Sequence, residues 1–251
     1  WVRKWNIMID KLEQYKSVLE EETYNHWMGV ARFFRGFEYC RLVETFGDVP
    51  YYSKSITDAD TDEMYKDRTP RNEVMGYVYE DFDFALNNIR KNDGTQYLNR
   101  YIAAGFISRL MLFEGTWQKY HKSDTELAKK YLTQAKEAGE LVLGNNQWQI
   151  SSDFKSLFGS MDLSGNKEVL MYRHYDAGVS VTHCVASYSN GAESQGGATL
   201  ALAKSFICND GKVYQNSSLA DADNLDIENM AKTRDPRFEA TFWDEPRIQA
   251  G

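Results

Sequence analysis

Tyrosine, histidine and amide side chains in polar, glycine-rich stretches are the residues of this sequence best suited to binding a ligand. A tyrosine ring offers an apolar face to a sugar, while amides and imidazoles exchange hydrogen bonds with hydroxyl groups. The longest such stretch is a loop predicted from Gly178 to Gly197. The competing interpretation at each tyrosine is packing in the core, where aromatic rings usually lie. The candidate ligand-binding residues, all in predicted loops, are Tyr65, Tyr175, His183, Tyr188, Asn190 and Gln195.

Metal ligands with a recognisable spacing are absent from the sequence. The four histidines are scattered along the chain and form no zinc motif. An Asp-x-Asp-x-Asp series that begins at Asp58 resembles a calcium loop, but its sixth position is Glu63 and its twelfth is Thr69. A calcium loop has glycine and glutamate at those two positions. The sequence therefore predicts no metal site and no cofactor.

The sequence also gives only weak evidence for a catalytic site. Carboxylates such as Asp176 and Glu193 would hydrolyse a glycoside only at a suitable separation in space, which spacing along the chain does not give. The glycines between Gly191 and Gly197 do not form a phosphate-binding loop, because no Gly-Lys-Ser or Gly-Lys-Thr sequence follows them. We therefore predict a binding protein and not an enzyme. A helical glycoside hydrolase, and a scaffold that binds only other proteins, stay as alternatives.

The overall composition is that of a folded protein, and its charge argues against polyanionic ligands. The chain has 251 residues, of which 42% are hydrophobic, and this is enough for one large domain or one domain with a subdomain. Its net charge of −8 disfavours nucleic acid as a partner. No segment approaches the roughly 20 apolar residues of a membrane span. The three cysteines form no disulfide or zinc pattern, and we expect all of them to be buried.

The elements that must position the candidate residues are mostly helices. Apolar residues recur at helical spacing from about residue 5 to 20, and again from Val30 to Phe46, where Gly47 and Pro50 predict a stop. A third series runs from Val74 to Ile89, with Thr69 as the predicted cap and Pro70 as the first helical residue.

Two further helices are predicted before residue 145. The first carries Phe106, Phe113 and Trp117, whose spacing indicates core packing. A capping box from Ser123 to Glu126 then begins a helix that ends near Gly144. Small residues in both helices permit close approach, as in tetratricopeptide-like pairs: Ala103, Ala104 and Gly105 in one, and Ala135, Ala138 and Gly139 in the other.

The pattern of residue types changes in the second part of the chain. Short β-prone runs such as Glu168–Tyr172 alternate with connections rich in glycine, serine and asparagine. The predicted fold is mostly α, with tetratricopeptide-like helical hairpins over 1–145 and an irregular α+β, loop-rich, ligand-binding region over 146–251.

Several separated motifs follow one another along the chain. They are Ala31-Arg32-Phe33-Phe34-Arg35-Gly36 with Gly47-Asp48-Val49-Pro50, Arg68-Thr69-Pro70-Arg71 with Glu80-Asp81-Phe82, the helix ending in Gly115-Thr116-Trp117, Asp153-Phe154, Glu168-Val169-Leu170, the segment from Phe206 to Gly211, and Arg234-Asp235-Pro236-Arg237. In this order they resemble the SusD/RagB family of outer-membrane lipoproteins of Bacteroidota. Each motif is weak alone, but their shared order along the chain makes a chance similarity improbable.

The resemblance implies a function at the cell surface. Members of this family sit on the extracellular side of a SusC-like TonB-dependent barrel in the outer membrane, and their tetratricopeptide-like helices face it. They capture oligosaccharides or, as the alternative, oligopeptides. They are also longer than this chain and begin with a lipidated cysteine. We therefore expect a fragment or incomplete chain, whose N-terminal lipid anchor and C-terminal part lie outside this sequence.

Overall fold

The computed structural model describes residues 1–93, 97–184 and 196–242 of the chain. The chain divides into two compact units. The first comprises Trp1–Gln149 and Lys167–Tyr172, and the second comprises Ile150–Asn166 and Arg173–Gly251. Each unit has a hydrophobic core of its own.

The chain is mostly helical, as the apolar spacing predicts. The helices of the first unit are α1 (Val2–Tyr15), α2 (Glu21–Phe46), α3 (Thr61–Met64), α4 (Arg71–Asn88), α5 (Arg100–Trp117) and α6 (Thr125–Leu143). A 3-10 turn at Lys16–Val18 follows α1, and a π-helical turn at Gln118–Lys122 continues α5. The helices of the second unit are shorter: α7 (Phe154–Gly159), α8 (Leu200–Ser205), α9 (Ile227–Thr233) and α10 (Arg237–Thr241).

The first unit is built from antiparallel helix pairs. Helix α2 packs along α4, and α5 packs along α6. The Ser108 hydroxyl of α5 donates to the Ala135 carbonyl of α6 at 2.8 Å, so the two backbones lie close together. A Cβ atom on Gly115 would lie 2.6 Å from Cγ of Leu132, and only glycine fits there without a shift. The small residues that line this contact and are buried are Ala103, Ala104, Ala135 and Ala138.

Helix α2 ends where the sequence predicts. Gly47 takes a positive φ of 74° and its amide donates to the Val43 carbonyl at 2.9 Å, which caps the helix. The chain then reverses, and Val49 pairs with Thr69 in an antiparallel bridge.

The start of α4 differs from the sequence prediction. Thr69 does not cap it, because the Thr69 hydroxyl accepts a hydrogen bond from the Tyr51 amide at 3.2 Å instead. The amide of Arg71, the first helical residue, donates to Asp48 Oδ1 at 2.8 Å. A carboxylate from the turn after α2 therefore does the capping, and Pro70 is the residue before the helix. The buried stripe of α4 is as predicted: Val74, Val78, Phe82, Ala85 and Ile89 are fully buried.

Helix α5 buries a different face from the one expected. Phe106 and Phe113 are 39% and 44% exposed, so the prediction that both lie in the core was wrong. The fully buried face carries Ala104, Ile107 and Met111. Close packing against α6 requires small side chains at the contact, and this requirement overrides the larger apolar area of the phenylalanines.

Helix α6 also begins one residue later than the predicted capping box implies. Ser123 has a left-handed φ of 54° and is not the cap. The cap is Asp124, whose Oδ1 accepts from the Leu127 amide at 2.9 Å.

The second unit has a small aromatic core, and β pairing among its described residues is limited to isolated bridges. Ala203, Met230 and Phe238 are buried, and the ring of Phe206 lies 5.4 Å from that of Phe238. Buried Arg234 donates to Cys208 Sγ at 3.1 Å and to the Ala222 carbonyl at 2.8 Å, which ties separate segments together.

The β-prone run Glu168–Tyr172, which belongs to the first unit, is not a strand. Over 1–93, 97–184 and 196–242, β pairing consists of isolated bridges. Leu170 packs against α5, since a Cβ on Gly105 would lie 2.6 Å from its Cδ1. A strand needs a paired neighbour, and this run meets a helix instead.

Two of the three cysteines are buried as expected, namely Cys40 and Cys208. Cys184 is exposed, so the prediction of burial was wrong for that residue. It lies in the loop predicted from Gly178 to Gly197, where apolar periodicity gives no information about burial. Within the described part of the chain, every helix is too short or too polar to span a membrane.

Candidate functional site

The six predicted ligand-binding residues fall in different places. Tyr65 lies just after α3 in the first unit and is 83% exposed. Tyr175 and His183 lie together in the second unit. The predictions at Tyr188, Asn190 and Gln195 fall outside the described residues.

A short backbone loop holds the second-unit pair. Asp176 and Val181 form an antiparallel bridge, in which the Asp176 amide donates to the Val181 carbonyl at 2.9 Å and the Val181 amide donates back at 3.0 Å. Between them lies the 3-10 turn Ala177–Val179, and Ser180 takes a left-handed φ of 58°. Asp176 Oδ1 also accepts from the Gly178 amide at 2.7 Å, which favours the turn locally. We call residues 173–183 the aromatic loop.

The aromatic loop brings three different functional groups together. The rings of Tyr175 and His183 meet edge to face, with centroids 4.7 Å apart and planes at 83°. The Arg173 guanidinium lies 5.4 Å from the Tyr175 ring centroid. Tyr175 is 44% exposed, so part of its ring is open to a ligand. A phenol ring, an imidazole and a guanidinium can stack on a sugar and bond its hydroxyls.

Arg173 was missed by the reasoning from sequence. The signal that could have found it is its position two residues before Tyr175. In an extended segment, side chains at i and i+2 point to the same side.

A second place with exposed tyrosine lies in the first unit. A cleft of about 460 Å³ opens beside the chain reversal that follows α2, and Tyr51, Tyr52 and Tyr77 line it together with Lys66 and Thr69. We call it the tyrosine cleft. None of its tyrosines was predicted as a site residue. The available signals were the two adjacent tyrosines directly after Pro50 and a tyrosine on α4 outside the buried stripe.

No metal centre emerges from the described residues. No group of three or more histidine, cysteine, aspartate or glutamate side chains there could hold an ion. In the Asp58 series, Asp60 Oδ2 accepts from the Thr57 amide and hydroxyl at 2.8 and 2.9 Å, so this carboxylate shapes a turn. These bonds, led by that from the Thr57 amide, lower the pKa of Asp60.

Several known proteins similar to this chain are described as SusD-like. Residues 1–112 match a family described as "Starch-binding associating with outer membrane". The chain is 27% identical over 165 residues to "SusD-like protein P2" of Formosa agariphila. That alignment covers 64% of this chain and 30% of the relative, so the chain corresponds to a minor part of that protein.

Solved structures share the fold. A SusD-like carbohydrate-binding protein of Bacteroides fragilis superposes with a TM-score of 0.61 at 17% identity, covering 88% of this chain and 41% of that one. A laminarin-binding SusD-like protein superposes with a TM-score of 0.52 at 15% identity, covering 68% and 34%. At these identities the likeness concerns the fold alone.

Proposed function

We propose that the chain is a member of the SusD/RagB family, that it captures oligosaccharides at the cell surface, and that it delivers them to a SusC-like TonB-dependent barrel. The match of residues 1–112 to the family model and the 27% identity to a SusD-like protein support this proposal. Its place is the extracellular face of the outer membrane, held by a lipid anchor outside this sequence. It acts by reversible binding and changes no covalent bond of its ligand.

The observation that carries the proposal is the aromatic loop. Tyr175 is 44% exposed, with the imidazole of His183 and the guanidinium of Arg173 beside its ring. Sugar rings bind to this combination, because the aromatic face covers their apolar C–H groups while nitrogen donors bond their hydroxyls. The predicted residues Tyr188, Asn190 and Gln195 follow in the same stretch of sequence and belong to the proposal. Tyr65, in the first unit, is proposed as a separate contact.

The descriptions of two similar structures support a sugar ligand over a peptide ligand. One of them binds carbohydrate and another binds laminarin. Oligopeptide capture on the same scaffold is the alternative that the binding experiment must distinguish.

Titration calorimetry with oligosaccharides and oligopeptides of matched length tests the ligand class. We expect binding of at least one oligosaccharide, and Tyr175→Ala to weaken it by about tenfold, equivalent to about 1.4 kcal/mol. Tyr120→Ala is the matched control, because Tyr120 is 70% exposed in the first unit. Tight peptide binding without any sugar binding would refute the glycan version. Release of reducing sugar, abolished by changing one carboxylate, would favour a hydrolase instead.

Delivery is tested with the anchored full-length protein in its own cells. We expect an affinity tag on it to retain a TonB-dependent barrel after gentle detergent extraction. Retention of the barrel without oligosaccharide binding by the tagged protein would indicate a protein-binding scaffold.

A further inference from the structure

The tyrosine cleft contains an aromatic platform that is already assembled. The rings of Tyr51 and Tyr77 stack with centroids 4.3 Å apart and planes at 19°, and Tyr39 backs Tyr51 at 4.8 Å. Tyr77 is 36% exposed, and Tyr51 covers one of its faces, so its exposed area lies on the other face and the edge. The Tyr77 hydroxyl donates to Glu73 Oε1 at 3.0 Å, which fixes the ring.

The floor of the cleft is equally fixed. Arg35 binds Asp81 through two bonds of 2.7 Å each, and its third nitrogen donates to the Ser53 carbonyl at 2.9 Å. Arg32 donates to the same carboxylate at 2.7 Å. Such charge-assisted, two-pronged bonds hold a surface in one geometry, so little ordering remains when a ligand binds.

The charges around the tyrosine cleft balance. Burial raises the pKa of Tyr51 to about 12, so its phenol adds no charge at neutral pH. Glu73 and Glu80 are exposed at the rim, where carboxylate oxygens can accept bonds from hydroxyl groups. A balanced lining offers no net attraction to a polyanion or a polycation. The cationic lining residues are Arg32, Arg35, Lys54 and Lys66, and the anionic ones are Glu63, Glu73, Glu80 and Asp81.

Most backbone polar groups beside the cleft are already hydrogen-bonded within the protein. Extended peptides are bound largely through free main-chain groups at a sheet edge. In residues 51–55 the amides of Tyr51, Tyr52 and Ser55 donate to side chains, the second of them to the Tyr39 hydroxyl at 2.7 Å. The carbonyls of residues 51–54 accept from Lys66, Asn6 and Arg35. This segment therefore presents side chains, and not a peptide-binding edge.

We propose that the tyrosine cleft is a second carbohydrate site, separate from the aromatic loop, which binds a neutral sugar ring on the open face of Tyr77. The carboxylates of Glu73 and Glu80 accept hydrogen bonds from the ring hydroxyls. The proposal does not depend on the aromatic loop binding sugar, because the two places lie in different units and use different residues.

Tyrosine-selective ¹³C labelling of the 251-residue chain gives a separate readout for each site. The ring signals are assigned by their loss in Tyr77→Phe and Tyr175→Phe. The probes are maltohexaose, cellohexaose and laminarihexaose as neutral sugars, and tetra-alanine as the peptide. We expect the Tyr77 signal to shift saturably with at least one of the sugars and to stay unchanged with tetra-alanine.

Substitutions then test the platform itself. We expect Tyr77→Ala to weaken sugar binding at this site by about tenfold. Because this variant lacks the Tyr77 signal, binding is followed through the signal of a neighbouring tyrosine that also shifts with the sugar, such as Tyr51. Tyr120→Ala should change it less than about twofold. The proposal is overturned if no neutral sugar moves the Tyr77 signal, if tetra-alanine moves it, or if Tyr77→Ala binds like the unchanged protein. The Tyr175 signal reports on the proposed function independently, so either idea can fail alone.

Discussion

Asp81 is the buried counter-ion of two arginines in the first unit. Its side chain is 2% exposed and is bonded by both Arg32 and Arg35. Breaking a buried ion pair by removing one partner leaves an uncompensated buried charge, which is far more costly than the pair itself is stabilising.

We expect Asp81→Ala to lower the free energy of unfolding by about 3–5 kcal/mol in urea denaturation followed by circular dichroism. Asp83→Ala on the same helix is the control, because Asp83 is exposed and should change stability by no more than about 0.5 kcal/mol. Equal stability of the two variants would show that Asp81 is not the counter-ion that holds these arginines.

The position of individual candidate residues in loops was predictable only where the local sequence decides it. Tyr175 and His183 lie in a turn-rich stretch, and the sequence placed both in a loop. The sequence could not show that their rings meet, because the contact depends on the bridge between Asp176 and Val181. The stacking of Tyr51 on Tyr77 was missed for the same reason, since those residues are distant in sequence.

At the scale of the elements, the α5–α6 pair depends on glycine at one close contact. A Cβ on Gly115 would lie 2.6 Å from Leu132 Cγ and 3.0 Å from the Leu132 amide nitrogen, and backbone cannot move aside cheaply. Gly76 on α4 has open space in the same position, with no atom within 4 Å.

We expect Gly115→Ala to destabilise the protein by about 1–3 kcal/mol through overpacking. Gly76→Ala should instead stabilise it by about 0.4–1 kcal/mol, because alanine reduces the entropy of the unfolded chain. Thermal and urea unfolding of both variants measure the difference. A stabilising Gly115→Ala would mean that α5 and α6 lie further apart than described.

Helix positions were predicted well and helix faces less well. Gly47 and Pro50 end α2 through local chemistry that the sequence displays directly. The carboxylate that caps α4 is that of Asp48, which lies much further from the helix in sequence than a cap usually does. The prediction of Thr69 as the cap was therefore wrong. In α5 several apolar faces compete, and only the packing of α6 decides which one is buried.

At the scale of the whole molecule, net charge determines which ligands are attracted or repelled over long distances. The chain carries −8, whereas the lining of the tyrosine cleft carries equal numbers of positive and negative side chains. A neutral sugar is therefore neither attracted nor repelled over long distances, while a polyanion is repelled.

We expect the affinity for a neutral hexasaccharide to change less than about twofold between roughly 0.1 and 1 M salt, over which the Debye length falls from about 10 Å to about 3 Å. Calorimetry at both salt concentrations measures it. A loss of affinity of about tenfold at high salt would indicate ionic recognition of the ligand instead.

The sequence by itself determined the helical class and the approximate helix positions, and its motifs carry the resemblance to the SusD/RagB family. Apolar spacing, turn residues and motif order are local or linear properties, and the chain displays them before it folds. Only the tertiary structure decided which faces are buried, that Asp81 joins two arginines, and that tyrosines from separate segments stack into a cleft. Those outcomes depend on distances between residues far apart in the chain, and these distances are set by the packing of one helix against another.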